Sequence, residues 1–223
     1  MKNILVIGAG RSAVTLIEYL LNESVVFNWK VTIADYNIEL AKEASLNHKN
    51  SRVILFNINN AHQRENEIKE ADIVVSMLPA SMHSIVANDC VKFRKNLVTA
   101  SYVSDEIKEL DNIAREHNII LLNEIGLDPG IDHMSAMKVI DDLKNQEAHL
   151  KSFKSYCGGL IHPDFDNNPW NYKFTWNPRN VILAGQGVSK YLEEKKVKEI
   201  EYKDLFNQTE IISILDQGDF ESY

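Results

Sequence analysis

Between residue 1 and about residue 124, short runs of Val, Ile and Leu alternate with longer stretches of helical periodicity, and this alternation leaves few folds open. The runs Asn3–Gly8, Lys30–Asp35, Arg52–Phe56, Asp72–Leu78, Asn96–Thr99 and Asn118–Leu122 predict six strands. Most are near-continuous in apolar residues, as parallel strands covered on both faces must be. Ser12–Leu21, Ile38–Leu46, Gln63–Glu70, Met82–Lys92 and Ser104–His117 read as the crossover helices between them. Strands alternating with helices in this way predict an α/β, doubly wound parallel sheet, that is, a Rossmann domain over residues 1–125. After Gly126 the texture changes. Ile131, Met134, Met137, Ile140 and Leu143 recur at helical spacing, Leu150–Cys157 alternates like a half-buried strand, and Gly158-Gly159 reads as a turn. Val181–Leu192 reads as a helix and Val197–Tyr202 as a strand. A domain boundary is therefore placed near residue 125, and the final residues end without a recognisable closing element.

Composition narrows the partners. A net charge of −8 argues against nucleic acid or an anionic membrane surface, either of which demands a basic face. Apolar runs such as Ile73–Leu78 are far too short to span a bilayer, and the N-terminus leads directly into a strand without a charged leader, so the expectation is a cytoplasmic protein. The two cysteines, Cys90 and Cys157, are distant and read as buried small hydrophobes in that compartment. The scattered histidines show no metal-ligand spacing, so no metal site is expected.

The segment VIGAGRSA supplies Gly8-x-Gly10-x-x-Ala13 where the first strand meets the first helix. Gly8 permits the tight turn, Gly10 lets backbone approach a pyrophosphate, and Ala13 allows close helix–strand packing. Arg11 and Ser12 open the helix, whose N-terminal N–H groups and positive dipole end favour phosphate. Asp35 ends the second strand, where a carboxylate would take the ribose hydroxyls of NAD and repel the 2′-phosphate of NADP. NAD is therefore expected over NADP, with Arg11 the nearby cation that softens the preference. Leu78-Pro79 and Ala100-Ser101-Tyr102 follow the fourth and fifth strands, on the rim where ligands bind in such sheets. Pro79 is equally a strand terminator, and Tyr102 equally a half-buried loop aromatic.

The stretch LNEIGLDPGIDHMSA, residues 122–136, places Asp128-Pro129-Gly130 between the sixth strand and the next helix. Locally, Asp128 is an N-cap candidate with Pro129 as first helical residue. By position it is also a carboxylate on the ligand rim, able to hold an ammonium. His133, one turn on, is either a proton carrier or a solvated surface residue.

The segments GAGRSA, VVSMLP, VTASY, GLDPGIDHMSAM, SYCGGL and NNPWNYKFTWNPRNV, in this order, resemble the glutamate-forming saccharopine dehydrogenases (saccharopine reductases) over essentially the whole chain. The resemblance implies a nicotinamide cofactor and a second, incomplete α/β domain over residues 126–223 that binds saccharopine and dimerises. It places Ser12, Asp35, Leu78, Ala100, Leu127 and Pro129 along the cofactor, and Ser101, Tyr102 and Asp128 against saccharopine. The implied reaction oxidises saccharopine's secondary amine to an imine, whose hydrolysis yields glutamate and α-aminoadipate semialdehyde. Two departures stand out. Ile161-His162-Pro163-Asp164 replaces the family's Pro-Ala-Pro-Glu, and the chain stops at Tyr223, just short of a substrate-binding arginine, which suggests a truncated or fragmentary protein. Two other readings are a related reductase of polyamine-derived imines and a non-catalytic remnant that binds NAD or a partner.

Overall fold

The structure is a computed structural model that describes residues 1–155, 161–174, 187–205 and 207. The chain divides into two compact units, Met1–Gly158 and Gly159–Tyr223.

The first unit is built on β1 (Lys2–Ile7), β2 (Trp29–Asp35), β3 (Ser51–Leu55), β4 (Ile73–Ser76), β5 (Asn96–Thr99) and β6 (Leu121–Leu122). All pair in parallel, in the order β3-β2-β1-β4-β5-β6. The connecting helices are α1 (Val14–Phe27), α2 (Ile38–Ala44), α3 (Ala61–Glu70), α4 (His83–Phe93), α5 (Asp105–Lys108) and α6 (Asp111–Glu116), with α7 (Ile131–Asn145) following β6. This is the doubly wound order expected of a dinucleotide-binding sheet.

Each strand divides its side chains between two cores. In β1, Ile4 and Val6 join Ile17 and Leu21 of α1 and Val31 and Ile33 of β2, whereas Leu5 and Ile7 join Ile68 of α3, Val86 and Cys90 of α4, and Leu97 of β5. The period of two is the pleat itself. The handedness of the crossovers dictates which helix covers which face. Stepping outward from β1 to β3 puts α1 and α2 on one face; returning through β4 to β6 puts α3 to α6 on the other. The α1 face of β4 to β6 thus receives no helix from these connections. A groove of about 560 Å³ lies there, lined by Leu16, Leu20, Ile73, Val75, Val98 and Ile125 among others.

Local signals set the helix ends. Asn37, Asn60 and Ser104 cap α2, α3 and α5 by accepting backbone N–H bonds from Glu39, Gln63 and Ile107. Between α3 and α4, Arg64 Nε meets Asp89 Oδ2 at 2.5 Å with both side chains nearly buried, and Arg64 Nη1 donates to the Ile58 carbonyl at 2.6 Å.

Several expectations need correction. Ser104–His117 is two short helices, α5 and α6, although no Pro or Gly marks the break; Ile107, Leu110 and Ala114, at i, i+3 and i+7, still face the core. The sixth strand is only Leu121–Leu122, because Asn118 turns left-handed (φ 54°) and the N–H of Ile119 closes α6 by donating to the Ala114 carbonyl. Residues 150–155 are exposed and carry no strand, with no strand among the described residues paired to them, and Cys157 lies outside the described residues with Gly158-Gly159. The helix expected over Val181–Leu192 lies outside the described residues at 181–186. Ser189–Glu193 is instead a strand, β7, paired antiparallel with β8 (Lys196–Ile200) across the left-handed pair Glu194-Lys195. Two consecutive positive-φ residues make the turn whose twist matches a tight hairpin. A one-turn helix, Tyr202–Leu205, follows. Among the described residues no helix is long and apolar enough to cross a membrane.

Candidate functional site

The glycine loop joins β1 to α1. Gly8 has φ +104°, and a Cβ there would lie 2.9 Å from the Met77 carbonyl oxygen, so the sharp turn against β4 requires glycine. Its N–H donates to the Ala34 carbonyl at 2.8 Å, which holds the loop against β2. Gly10 is different: a Cβ there would meet nothing within 4 Å, leaving open space beside the backbone. That is the space a pyrophosphate requires, so the loop fits a dinucleotide. Ala13 is buried under α1, and Arg11 and Ser12 are exposed beside the loop. Beyond it, a cleft of about 500 Å³ is lined by Gly8, Asp35, Tyr36, Phe56, Asn59 and Leu78 among others. Its position between β1, β2 and β3 suits an adenosine.

Asp35 has a job that the sequence did not reveal. Its Oδ2 accepts the Ala9 N–H at 2.7 Å and its Oδ1 the Asn37 N–H at 2.7 Å. The carboxylate thereby ties the glycine loop to the end of β2. An acid at this position is accounted for by the loop itself, without a ribose.

The second cluster stands on the rim of β4, β5 and β6. Ser101 and Tyr102 follow β5, and Asp128 follows β6. The two loops are stitched together: Glu124 N–H donates to the Ser101 carbonyl at 3.0 Å, and Val103 N–H to Glu124 Oε1 at 3.1 Å. Tyr102 Oη donates to Asp128 Oδ1 at 3.4 Å, a long bond on an exposed surface. Partial burial first, and then the Asp128 carboxylate, hold the Tyr102 phenol above its ordinary value of 10.0.

Asp128 does not cap α7. Gly130 precedes the helix with φ 149°, and a Cβ there would lie 2.1 Å from the Gly126 carbonyl oxygen. Gly126 N–H donates to the Pro129 carbonyl and Ile131 N–H to the Gly126 carbonyl, closing the Gly126–Gly130 loop on itself. The helix therefore begins at Ile131 rather than at Pro129, and the orphan Gly130 N–H goes to Asp132 Oδ1 at 2.8 Å. Asp128 is left exposed with Tyr102 as its side-chain partner. Within the loop Leu127 is exposed and Pro129 buried. Ala100 is among the residues lining the apolar groove, and Pro79 is exposed at the start of the connection to α4. His133 is exposed and bonds Asp132 at 2.8 Å; that hydrogen bond raises its pKa above 6.5. Among the described residues, no cluster of His, Cys, Asp or Glu could hold a metal ion.

One residue of this rim was missed. His83, the first residue of α4, is 2% exposed; its Nδ1 lies 2.8 Å from Ser76 Oγ and its Nε2 2.8 Å from Ser101 Oγ. Burial holds its pKa below 6.5. In sequence, a lone histidine heading a helix after Leu78-Pro79 carries no signal of this contact.

Residues 4–122 match the family model described as the saccharopine dehydrogenase NADP binding domain, and residues 126–223 the saccharopine dehydrogenase C-terminal domain. The chain belongs to the saccharopine dehydrogenase family. Among its relatives, the saccharopine dehydrogenase [NADP(+), L-glutamate-forming] of Schizosaccharomyces pombe is 37% identical over 205 residues, which are 92% of this chain and 45% of that protein. The alpha-aminoadipic semialdehyde synthase of Arabidopsis thaliana is 41% identical over 79% of this chain and 17% of its own length. The apo saccharopine dehydrogenase (L-Glu forming) structure from Saccharomyces cerevisiae superposes with a TM-score of 0.83 at 32% identity, covering 97% of this chain and 48% of that one. The chain thus spans less than half the length of these relatives.

Proposed function

We propose that the chain acts as an NAD(P)-dependent, glutamate-forming saccharopine dehydrogenase, an oxidoreductase of lysine metabolism. The observation that carries this reading is the meeting of Ser101, Tyr102 and Asp128 on one rim of the sheet whose other half holds the glycine loop. A nicotinamide dinucleotide bound along that rim would serve as hydride acceptor for the carbon bearing saccharopine's secondary amine. The side chains of the rim orient the substrate: Asp128 is an anionic partner for an ammonium, and Ser101 a hydroxyl donor for a carboxylate. Loss of hydride converts the secondary amine to an imine; water adds to it, and collapse of the carbinolamine releases glutamate and α-aminoadipate semialdehyde.

For the cofactor, NADP is favoured. The matched family description and the relatives' names specify NADP, and the carboxylate of Asp35, which had pointed to NAD, already accepts the Ala9 N–H of the glycine loop and the Asn37 N–H just beyond β2. Gly8, Gly10, Arg11, Ser12, Ala13, Asp35, Leu78, Pro79, Ala100, Leu127 and Pro129 make up the proposed cofactor path. A functional boundary near residue 125 is supported by the change of family model between residues 122 and 126. Pairing of two copies and a cytoplasmic address belong to the same reading; light scattering and fractionation test them.

The experiment gives saccharopine with NADP, and separately with NAD, and follows the near-ultraviolet absorbance of the reduced cofactor. A rate with NADP exceeding that with NAD is expected. A folded chain that binds either cofactor yet neither turns over nor binds saccharopine would sink the proposal.

A further inference from the structure

We propose that His83 is a positioning residue that holds the Ser101 hydroxyl ready to donate to a substrate carboxylate. The inference rests on the reading of Ser101 as a substrate contact.

Three buried or half-buried hydroxyls converge on one imidazole. Ser76 ends β4 and is fully buried, and among the described residues the hydrogen-bond partner of its Oγ is His83 Nδ1, at 2.8 Å. A neutral imidazole has one donor and one acceptor. If Nδ1 carried the proton, the Ser76 O–H would be left buried without an acceptor, at a cost of about 1–3 kcal/mol. Ser76 O–H therefore donates to Nδ1, and the ring proton sits on Nε2. Nε2–H then donates to Ser101 Oγ at 2.8 Å, while Thr99 Oγ1 lies 3.2 Å from Nε2 and 3.4 Å from Nδ1, so that its own O–H shares the Nδ1 acceptor with Ser76. Thr99 Oγ1 in turn accepts the Ser101 N–H at 3.3 Å, fixing the backbone from which the hydroxyl projects. With one lone pair of Ser101 Oγ taken by the imidazole, its own proton is available to an acceptor at the rim. Asp128, on the same rim, repels a carboxylate and takes an ammonium. Ser101 and Asp128 thus recognise opposite ends of an amino-acid moiety, with His83 setting the sense of the first bond.

The test uses the full chain loaded with NADP and measures saccharopine affinity calorimetrically for wild type, Ser101→Ala, His83→Asn, His83→Gln and the His83→Asn/Ser101→Ala double variant. Loss of one hydrogen bond to a charged group predicts affinity about tenfold weaker for Ser101→Ala and for His83→Asn. The double variant should be no weaker than Ser101→Ala, because the two residues act through one hydroxyl. His83→Gln, whose amide N–H replaces Nε2–H, should retain affinity within about threefold of wild type, while NADP affinity stays level across the set. Independently of any variant, ring-nitrogen NMR of the wild type should show the Nε2–H tautomer. Additive losses, equal losses in His83→Asn and His83→Gln, or an Nδ1–H tautomer would overturn the role of His83. Wild type that binds NADP but no saccharopine overturns the proposed function and this role with it, whereas wild type that binds saccharopine as tightly as His83→Asn overturns this role alone.

Discussion

The two halves of the central sheet are not equivalent. β1 and β2 are covered on both faces, so that Leu5, Ile7, Val31 and Ile33 are at most 1% exposed. Val74 of β4 and Leu97 of β5 pack on α3 to α6, but among the described residues the opposite face of β4 to β6 is covered only in part: Val75 joins the α1 core, whereas Ile73, Val98 and Ile125 line an open apolar groove. The same right-handed crossover rule produces both outcomes, because the chain reverses direction across the sheet at β3. The well-covered half anchors the glycine loop, while the residues proposed to meet substrate stand on the rim of the less covered half. A rigid half fixes the loop; the other half presents side chains from three separate connections.

The sharpest test of that contrast is truncation on either half. Leu5→Ala should cost roughly 3–4 kcal/mol in urea unfolding, as in other fully packed cores, whereas Ile73→Ala on the groove face should cost about 1 kcal/mol or less. Equal costs would mean that the groove face is packed as tightly as the core. Arg64→Ala breaks the buried pair with Asp89 that joins α3, next to the first half, to α4, on the second. Leaving that carboxylate uncompensated should cost about 3 kcal/mol, and a loss under about 1 kcal/mol would show that the halves hold together without it.

Within the first half the two glycines separate fold from function. Gly8→Ala forces a left-handed backbone and a clash with the Met77 carbonyl, and should lower stability by about 2 kcal/mol. Gly10→Ala should leave stability within about 0.5 kcal/mol while filling the space proposed for the pyrophosphate, so dinucleotide affinity, read by fluorescence titration, should fall at least about tenfold. Unchanged affinity would remove Gly10 from the site.

The smallest effect concerns pH. In the second half, His83 is held below its ordinary 6.5 by burial. The unfolded chain then protonates first as pH falls through 6.5, so stability present above that value is lost below it until the lower folded-state pKa is reached. Unfolding midpoints between pH of about 7 and 5.5 should therefore decline more in wild type than in His83→Gln, by less than about 1.4 kcal/mol per pH unit. A parallel decline in the two would mean that His83 titrates alike in both states.

Much of the architecture was legible because parallel strands buried on both faces must be apolar at successive positions, as in ILVI of β1 and VTIA of β2. The glycine loop was legible for a similar reason: Gly8 meets a steric demand that another residue type cannot. The misses share the opposite property. The hairpin of β7 and β8 turns through Glu194-Lys195 instead of Gly or Asn, and its exposed strands carry no strong apolar alternation. The extent of β6 depended on how α6 terminated, which rests on a left-handed Asn118.

From the sequence alone came the doubly wound sheet, the dinucleotide loop, and the family resemblance that named Ser101, Tyr102 and Asp128. These depend on residue type at short range, on periodicity, and on motifs read along the chain. Tertiary structure alone decided that Asp35 spends its carboxylate on the backbone of the glycine loop, that Asp128 is released from helix capping, and that His83 reaches Ser101. Each of those outcomes is a hydrogen bond between segments distant in sequence or closed into a loop. Which of several competing acceptors a donor finds is settled by where the folded backbone brings them together.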